Sequence, residues 1–415
     1  MKSLSEFSIL GGPPTFSTNL VVGMPSMPNR EALHRRMDEM LDSRQLTNGG
    51  QFVHAFESEL QRRIGCRHVV CVCNGTMALQ ILAKACDVSG EVIVPAMTFV
   101  ATPHALQWIG LTPVFADIEA ETQTLNPVSV EKCISNNTSA IMGVHLWGNP
   151  CQVADLQELA DRHRLKLLFD ASHAYGCSHQ GIPIGRFGDA EAISFHATKV
   201  MHSIEGGAIL TDDDTIAERC RLMRNFGISG FTSISSAGIN AKMSELAAAV
   251  GLTSLENVDE VIRGNRDRLE EYRAVIDSVP GLHLAIHRSD KQQNAQYVVV
   301  KVNEELLGLN RDSLMQILRA EGVFVRSYFS PGCHNAEPYR NNSTSLRTPL
   351  PVTDQLLQEV MQLPTGPGVT GTDVTKIGLL LQSIYQHRSS LRDLISKINH
   401  SKANPNNAAE ISSAA

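Results

Sequence analysis

The stretch Ser194-Phe195-His196-Ala197-Thr198-Lys199, closing on Glu205-Gly206-Gly207-Ala208-Ile209, decides the fold. A short apolar run, Ala190 to Phe195, ends just before a lysine, and a glycine pair then opens a second run, Gly207 to Thr211. Upstream, Leu167-Leu168-Phe169-Asp170 is another apolar run, and it ends in an acid. Continuous apolar runs of this length are read as strands buried on both faces. Similar runs occur at His68 to Cys73, Glu91 to Pro95, Thr112 to Asp117, Ala140 to Leu146 and Lys166 to Asp170. Helical stretches such as Thr76 to Cys86 and Val153 to His163 separate them, which predicts an α/β fold with a doubly wound, mostly parallel seven-stranded sheet.

After Gly238 the texture changes. Ala241 to Leu255 and Val258 to Val279 read as two long helices. Strands are expected at Leu282 to His287, Gln296 to Val302 and Phe324 to Phe329, followed by further helices, as in a smaller α+β domain. The expected organisation is an N-terminal surface segment (1–30, rich in Pro, Gly and Ser), a large domain (31–260), a small C-terminal domain (261–400) and a disordered polar tail (401–415). The chain has 415 residues, 42% of them hydrophobic, and a net charge of -7, which argues against a dedicated nucleic-acid binder. No apolar run is long enough to span a membrane, and the N-terminus has no apolar signal-peptide core. Nine cysteines without zinc-site spacing read as reduced thiols of a cytoplasmic protein. Cys71 and Cys73, alternate residues of one run, are expected to share a face.

In open α/β sheets ligands bind outside the carboxyl ends of the strands. The chemically distinctive residues collect there. Asn74-Gly75-Thr76 follows the first strand and opens a helix, whose free N–H groups suit a phosphate. Thr98-Phe99 follows the second strand and offers a stacking ring. Asp170 ends the fifth strand, with His173 close behind, and Lys199 follows the sixth. Each has an ordinary alternative taken alone: a turn, a core phenylalanine, a helix cap, a surface lysine. Together they form the set that pyridoxal phosphate requires: an amine for a Schiff base, an acid for the pyridinium nitrogen, a phosphate cradle and a ring to stack on.

The chain resembles the DegT/DnrJ/EryC1/StrS sugar aminotransferases, fold-type I pyridoxal phosphate enzymes, from about Leu46 to Tyr339. The matching phrases are Leu46-Thr47-Asn48-Gly49, Asn74 to Leu79, Val94 to Phe99, Val144-His145-Leu146-Trp147-Gly148, Asp170-Ala171-Ser172-His173-Ala174, Ser194 to Lys199, and Gly238 to Glu245. The resemblance implies that Lys199 holds the cofactor (PLP, or PMP in its aminated form) as a Schiff base and that Asp170 pairs with the pyridinium nitrogen. It implies that His173 contacts the ring hydroxyl, that Gly75, Thr76 and Ser194 bind the phosphate, and that Phe99 stacks on the ring. Asn240 would reach the phosphate of a neighbouring subunit, which implies a homodimer with shared sites. Thr47, Asn48, Lys242, Tyr328, His334 and Tyr339 are the substrate-binding candidates, and Arg326, Arg340 and Lys242 the candidates for the donor carboxylate. The chain departs from the family at Asn74, where Ser is common, at Ile204, where Gly is common, and at Lys242, where Arg is common. Lysine lacks the planar fork of arginine.

Phe195 to Ile209, with its Ile204-Glu205-Gly206-Gly207, and Tyr328 to His334 with Glu337-Pro338-Tyr339-Arg340 resemble the branch that aminates C4 of dTDP-linked 4-keto-6-deoxyhexoses with L-glutamate as donor. Amination at C3, or of a GDP-linked keto sugar, is the near alternative. Three rivals stand further off. A sugar dehydratase of this kind carries His in place of the lysine. A cofactor-bound regulator would lack turnover. A metal enzyme would be built on His145, Asp170, His173 and His196.

Overall fold

In the computed structural model, residues 1–285 and 293–403 are described. Seven strands form the main sheet: β1 (His68–Val72), β2 (Glu91–Pro95), β3 (Thr112–Ala116), β4 (Thr138–Val144), β5 (Lys166–Asp170), β6 (Ala190–Ser194) and β7 (Gly207–Thr211). Their order is β1-β7-β6-β5-β4-β2-β3, and all neighbours are parallel except β7, which is antiparallel to both β1 and β6. The seven strands expected for this sheet are all present, within two residues at each end.

Side chains alternate across β1. Val70 and Val72 enter a core with helix α3 (Gly75–Ala85), while Val69 and Cys71 enter another on the opposite face. Cys73, expected to share the face of Cys71, lies beyond the strand's end and packs against the α3 side. All nine cysteines are free thiols.

The two helices expected on either side of residue 256 are one, α8 (Glu245–Ile276); α1 (Arg30–Ser43) and α2 (Gln51–Ile64) pack against its first half. Glu256 and Asn257, which interrupt the apolar pattern, simply face solvent. Ala248, Leu255 and Val258 of α8 belong to the core beneath the main sheet. Tyr272 and Ile276, further along the same helix, belong to the core of a second, three-stranded antiparallel sheet: β8 (Leu282–Leu284), β9 (Val298–Val302) and β10 (Val360–Leu363). Strand β10 escaped the sequence reading. Residues 286 and 287 of the strand expected at Leu282 to His287, and most of the expected tail, lie outside the described residues; 401–403 close a helix.

The strand expected at Phe324 to Phe329 is largely absent. Val323–Phe324 pairs in parallel with Leu20–Val21, and beyond an isolated bridge at Arg326 the chain turns. Tyr328 and Phe329 stack on each other instead of alternating across a sheet. The N-terminal segment also differs from expectation. Phe7, Phe16 and Leu20 are buried in the core of the smaller sheet. The buried Glu321 carboxylate gathers this segment, accepting from Lys2 Nζ (2.5 Å), Ser8 N–H (2.7 Å), Thr15 N–H (2.9 Å) and Thr15 Oγ1 (2.7 Å). These donors hold its carboxyl below the usual range even though burial opposes it.

A second carboxylate fastens α8 to α2. Glu245 is buried and accepts from Gly50 N–H (2.9 Å), Phe52 N–H (2.7 Å) and Val53 N–H (3.3 Å) at the first turn of α2, where free N–H groups and the helix dipole favour an anion. Glu245→Ala leaves three buried donors without a partner and is expected to lower unfolding free energy by about 3 kcal/mol. Urea denaturation checks this, and a loss under 1 kcal/mol would show that water replaces the carboxylate.

Candidate active site

A cavity of about 360 Å³ opens at the carboxyl ends of the strands. Its walls include Gly75 and Thr76 from the start of α3, Phe99 after β2, Asp170 and His173 after β5, and Ser194 and Lys199 after β6. Strand ends point to all of these but Ser194, which the family resemblance implies. Tyr328 lines it as well.

The local fold explains the gathering. Asn74 caps α3 through its Oδ1, which accepts from Met77 N–H at 2.8 Å, so the N–H groups of the first turn point outward beside it. Gly75 has no room for a side chain: a Cβ there would lie 2.9 Å from the Cβ of Ser194. Gly207 is equally confined, because a Cβ would lie 2.7 Å from the carbonyl carbon of Asn74. Strand β7 thus runs directly under the α3 turn and brings Ser194, its register partner at Gly207, to that turn. The result is a small polar hollow between helix N-terminus and serine, of the kind that takes a phosphate.

Asp170 is buried. Its Oδ2 accepts from Thr102 Oγ1 (2.8 Å) and its Oδ1 from Ser172 N–H (3.1 Å), and Thr98 Oγ1 lies 3.0 Å from Thr102 Oγ1. Burial pushes the Lys199 ammonium down to about 8, while Asp170 resists the shift. Burial, with Lys199 adding to it, holds His173 well below its ordinary range. His173 is therefore neutral. Its Nδ1 accepts from Trp147 N–H at 3.2 Å, so Nε2 carries the proton and is a donor. An aromatic wall backs it: Trp147 stacks on His173 (5.7 Å) and on Phe329 (5.1 Å), and Tyr297 lies 4.6 Å from the His173 ring.

Other expected residues lie elsewhere. His334 is buried and bonded to Asp354 (2.9 Å), and Tyr339 is buried against Phe115 (5.2 Å) and His104 (5.7 Å). Neither lines the cavity; both fill space beside the β2–β3 edge. Thr47 and Asn48 are exposed on the loop before α2. Asn240 and Lys242 lie outside the cavity, with Lys242 Nζ bonded to Asn240 Oδ1 (2.6 Å) and 4.9 Å from the Phe226 ring. Arg340 is engaged with Glu337 (2.6 Å), whereas Arg326 is exposed and makes no ion pair among the described residues. Ile204, which replaces the family's usual glycine, has φ +68°, a conformation costly for a β-branched residue.

Sequence reasoning missed Val22, Gly23, Met24 and Ser26 of the N-terminal segment, Gln296 and Tyr297 before β9, and Thr365 to Pro367, all of which line the cavity. Only the spacing of Thr98 and Thr102, one helical turn apart, could have signalled Asp170's partner. The metal alternative has no geometry behind it: His145 faces Glu191 (3.3 Å) and accepts from Cys151 N–H (3.0 Å) inside the core. Among the described residues no three His, Cys, Asp or Glu side chains could hold a metal ion.

The tuned amine makes a direct prediction. In cofactor-free protein, labelling of Lys199 by an amine-specific reagent, read by mass spectrometry against pH, should have its midpoint near 8. Asp170→Asn removes the charge that supports the ammonium, so the midpoint should fall further. An unchanged or raised midpoint would show that Asp170 does not act on this amine.

Likeness to known proteins agrees with this geometry. A dTDP-4-amino-4,6-dideoxy-D-glucose transaminase from Shigella dysenteriae is 35% identical over 322 residues, 78% of this chain and 88% of that protein. A GDP-perosamine synthase from Vibrio cholerae is 30% identical over 358 residues, 85% of this chain and 95% of that protein. The solved structure of DesI in the presence of its TDP-sugar product superposes with a TM-score of 0.90 at 46% identity, covering 96% of this chain and all of that one. Residues 29–382 match the DegT/DnrJ/EryC1/StrS aminotransferase family, and the chain belongs to it as a pyridoxal-phosphate-dependent sugar aminotransferase.

Proposed function

We propose that the protein moves an amino group from L-glutamate to C4 of a dTDP-linked 4-keto-6-deoxyhexose, giving a 4-amino-4,6-dideoxy sugar. The observation that carries the reaction is Lys199 beside Asp170 at the mouth of adjacent strands, with a phosphate hollow across the cavity. The substrate class is supported by the likeness to DesI over nearly the whole chain. The GDP-linked sugar remains the second reading because of the perosamine synthase likeness.

The residues fit pyridoxal phosphate. The α3 N-terminus that the missing Cβ of Gly75 lets Ser194 approach, the tuned amine and the buried carboxylate are each suited to one part of it. When bound, the cofactor supplies an electron sink for charge developing at a substrate carbon. Gly75 and Thr76 N–H groups and Ser194 Oγ hold its phosphate. Asp170 keeps the ring nitrogen protonated, and Thr102 and Ser172 fix the carboxylate for that task. His173 Nε2 donates to the ring hydroxyl, and Phe99, more than half exposed to the cavity mouth, covers a ring face. With the cofactor bound, Lys199 Nζ would be the group that holds and moves the proton, taking it from the α-carbon of glutamate in one half of the reaction and returning a proton to the sugar carbon in the other. Arg326, close in sequence to Tyr328 and without a carboxylate partner among the described residues, is the best placed of the three cations for the donor carboxylate.

The second subunit belongs to the same proposal. Asn240 and Lys242 flank a loop whose Phe226, Ile228, Phe231, Ile234 and Ile239 are exposed. Such a patch suits a protein interface, and a second copy would bring Asn240 to its partner's phosphate hollow. The free thiols suit a reducing compartment such as the cytoplasm.

The visible spectrum of protein loaded with pyridoxal phosphate tests the reading. The Schiff-base band should fade with L-glutamate and return with dTDP-4-keto-6-deoxyglucose; return with the GDP-linked sugar alone would move the assignment to the second reading. Lys199→Ala should abolish both changes, and substantial retained turnover would overturn the role given to this lysine.

A further inference from the structure

Lys199 is not part of the sheet. It sits in the loop between β6 and β7, and its own N–H reaches only His196 O (2.8 Å). The loop is closed at its base by Phe195 N–H to Gly206 O (2.8 Å) and Ser203 N–H to Phe195 O (2.9 Å). Its middle is held from a distant part of the chain. The side-chain amide of Gln296 accepts from Val200 N–H through Oε1 (3.0 Å) and donates to Thr198 O through Nε2 (2.7 Å). One planar group therefore pairs with the peptides on both sides of Lys199, much as a neighbouring strand would.

Gln296 is itself well fixed. Its N–H donates to Asn294 Oδ1 (3.1 Å), and Asn294 Nδ2 donates to His173 O (2.9 Å) and Tyr175 O (3.0 Å). The short segment that leads into β9 thus grips the His173 loop with one side chain and the Lys199 loop with the next. A glutamine that only closed a loop would need neither bond to straddle the lysine. We propose that Gln296 is a positioning residue for Lys199, holding its backbone so that the amine stays in the dry corner beside Asp170; this rests on the reading of Lys199 as the reacting amine.

The groups facing that amine are Asp170 and His173, with Tyr297 beside them. If the bracket is cut, Lys199 gains solvent and freedom, so its amine should become more basic and its proton transfer slower. Gln296→Leu removes both bonds at nearly constant volume. Gln296→Glu keeps the acceptor for Val200 N–H and loses the donor to Thr198 O.

Each full-length variant is loaded with pyridoxal phosphate, trapped with borohydride and mapped by mass spectrometry, then mixed with L-glutamate in a single turnover. Thermal melting is recorded alongside, and the cofactor-free protein is labelled at Lys199 against pH. In both variants the cofactor should still be trapped on Lys199, the single-turnover rate should fall by about ten- to a hundredfold, and the labelling midpoint should rise. A lower melting temperature with unchanged rate and midpoint would make Gln296 a structural staple and overturn the proposal. Should the leucine variant not fold, the glutamate variant decides by its single-turnover rate, because its added carboxylate raises the midpoint by charge alone. Failure to trap the cofactor on Lys199 in the unaltered protein would overturn the parent reading instead, while the labelling midpoints would still decide whether Gln296 places this lysine.

Discussion

An ammonium and a carboxylate withdrawn from water at the ends of adjacent strands set the terms for everything around them. Asp170 is the last residue of β5 and is paired in register with Ala192 of β6, so the sheet itself fixes the distance from the acid to the loop that carries Lys199. Burial favours the neutral amine, and Asp170 opposes full loss of the proton, leaving the group near 8. The same burial, with the Lys199 charge adding to it, keeps His173 neutral. Neutrality in turn makes its Nε2 a donor, since the Trp147 N–H occupies Nδ1. A chain of consequences thus runs from two strand ends to the hydrogen-bonding sense of a ring several residues away.

The part of this arrangement that depends on strand ends was legible in the sequence. Continuous apolar runs gave the seven strands, and the residues at and just past their ends gave Gly75, Thr76, Phe99, Asp170, His173 and Lys199, with Ser194 added by the family resemblance. What escaped was everything delivered by irregular chain. Val22 to Ser26, Gln296 and Thr365 to Pro367 have no periodicity to read, and they reach the cavity only because the two sheets pack as they do. Composition also misled. Pro, Gly and Ser suggested a surface segment at residues 1–30, yet a few spaced aromatics and one buried acid, Glu321, anchor it. Tyr328 and Phe329 have the residue types of a strand but stand against Pro331 and Gly332, and their rings go to the aromatic wall. His334 and Tyr339 carry polar atoms in a site-like phrase, but their surroundings are core.

Helix α8 explains why the two halves cannot be treated apart. Its first turns pack under the main sheet, its last turns under the smaller one, and Asn265 between them lines the cavity. Asn265 Nδ2 donates to Asn294 O (3.3 Å), so the helix also steadies the segment that brackets His173 and Lys199. The cavity is therefore bounded by the N-terminal segment, the main sheet and the approach to the smaller sheet at once.

Charge inside the cavity bears on how a nucleotide-linked sugar could bind. Among the described residues and apart from histidines, Lys199 is the one basic residue on its walls, against Asp170 and Glu205. The α3 N-terminus offers one set of free N–H groups, and a cofactor phosphate would take it. A sugar diphosphate entering beside it would meet no fixed cation of the same chain within the cavity, and an anion of that kind is poorly held without one. Arg326 is exposed two residues before the cavity-lining Tyr328, and Lys242 is half-buried at the end of a loop edged with exposed apolar side chains. In the proposed dimer that loop would approach the other copy's mouth, and the second subunit would then supply the charge that the first lacks. A lysine at position 242, bonded here to Asn240 Oδ1, would serve this purpose as a point charge, where a forked guanidinium would fix one orientation of the phosphate.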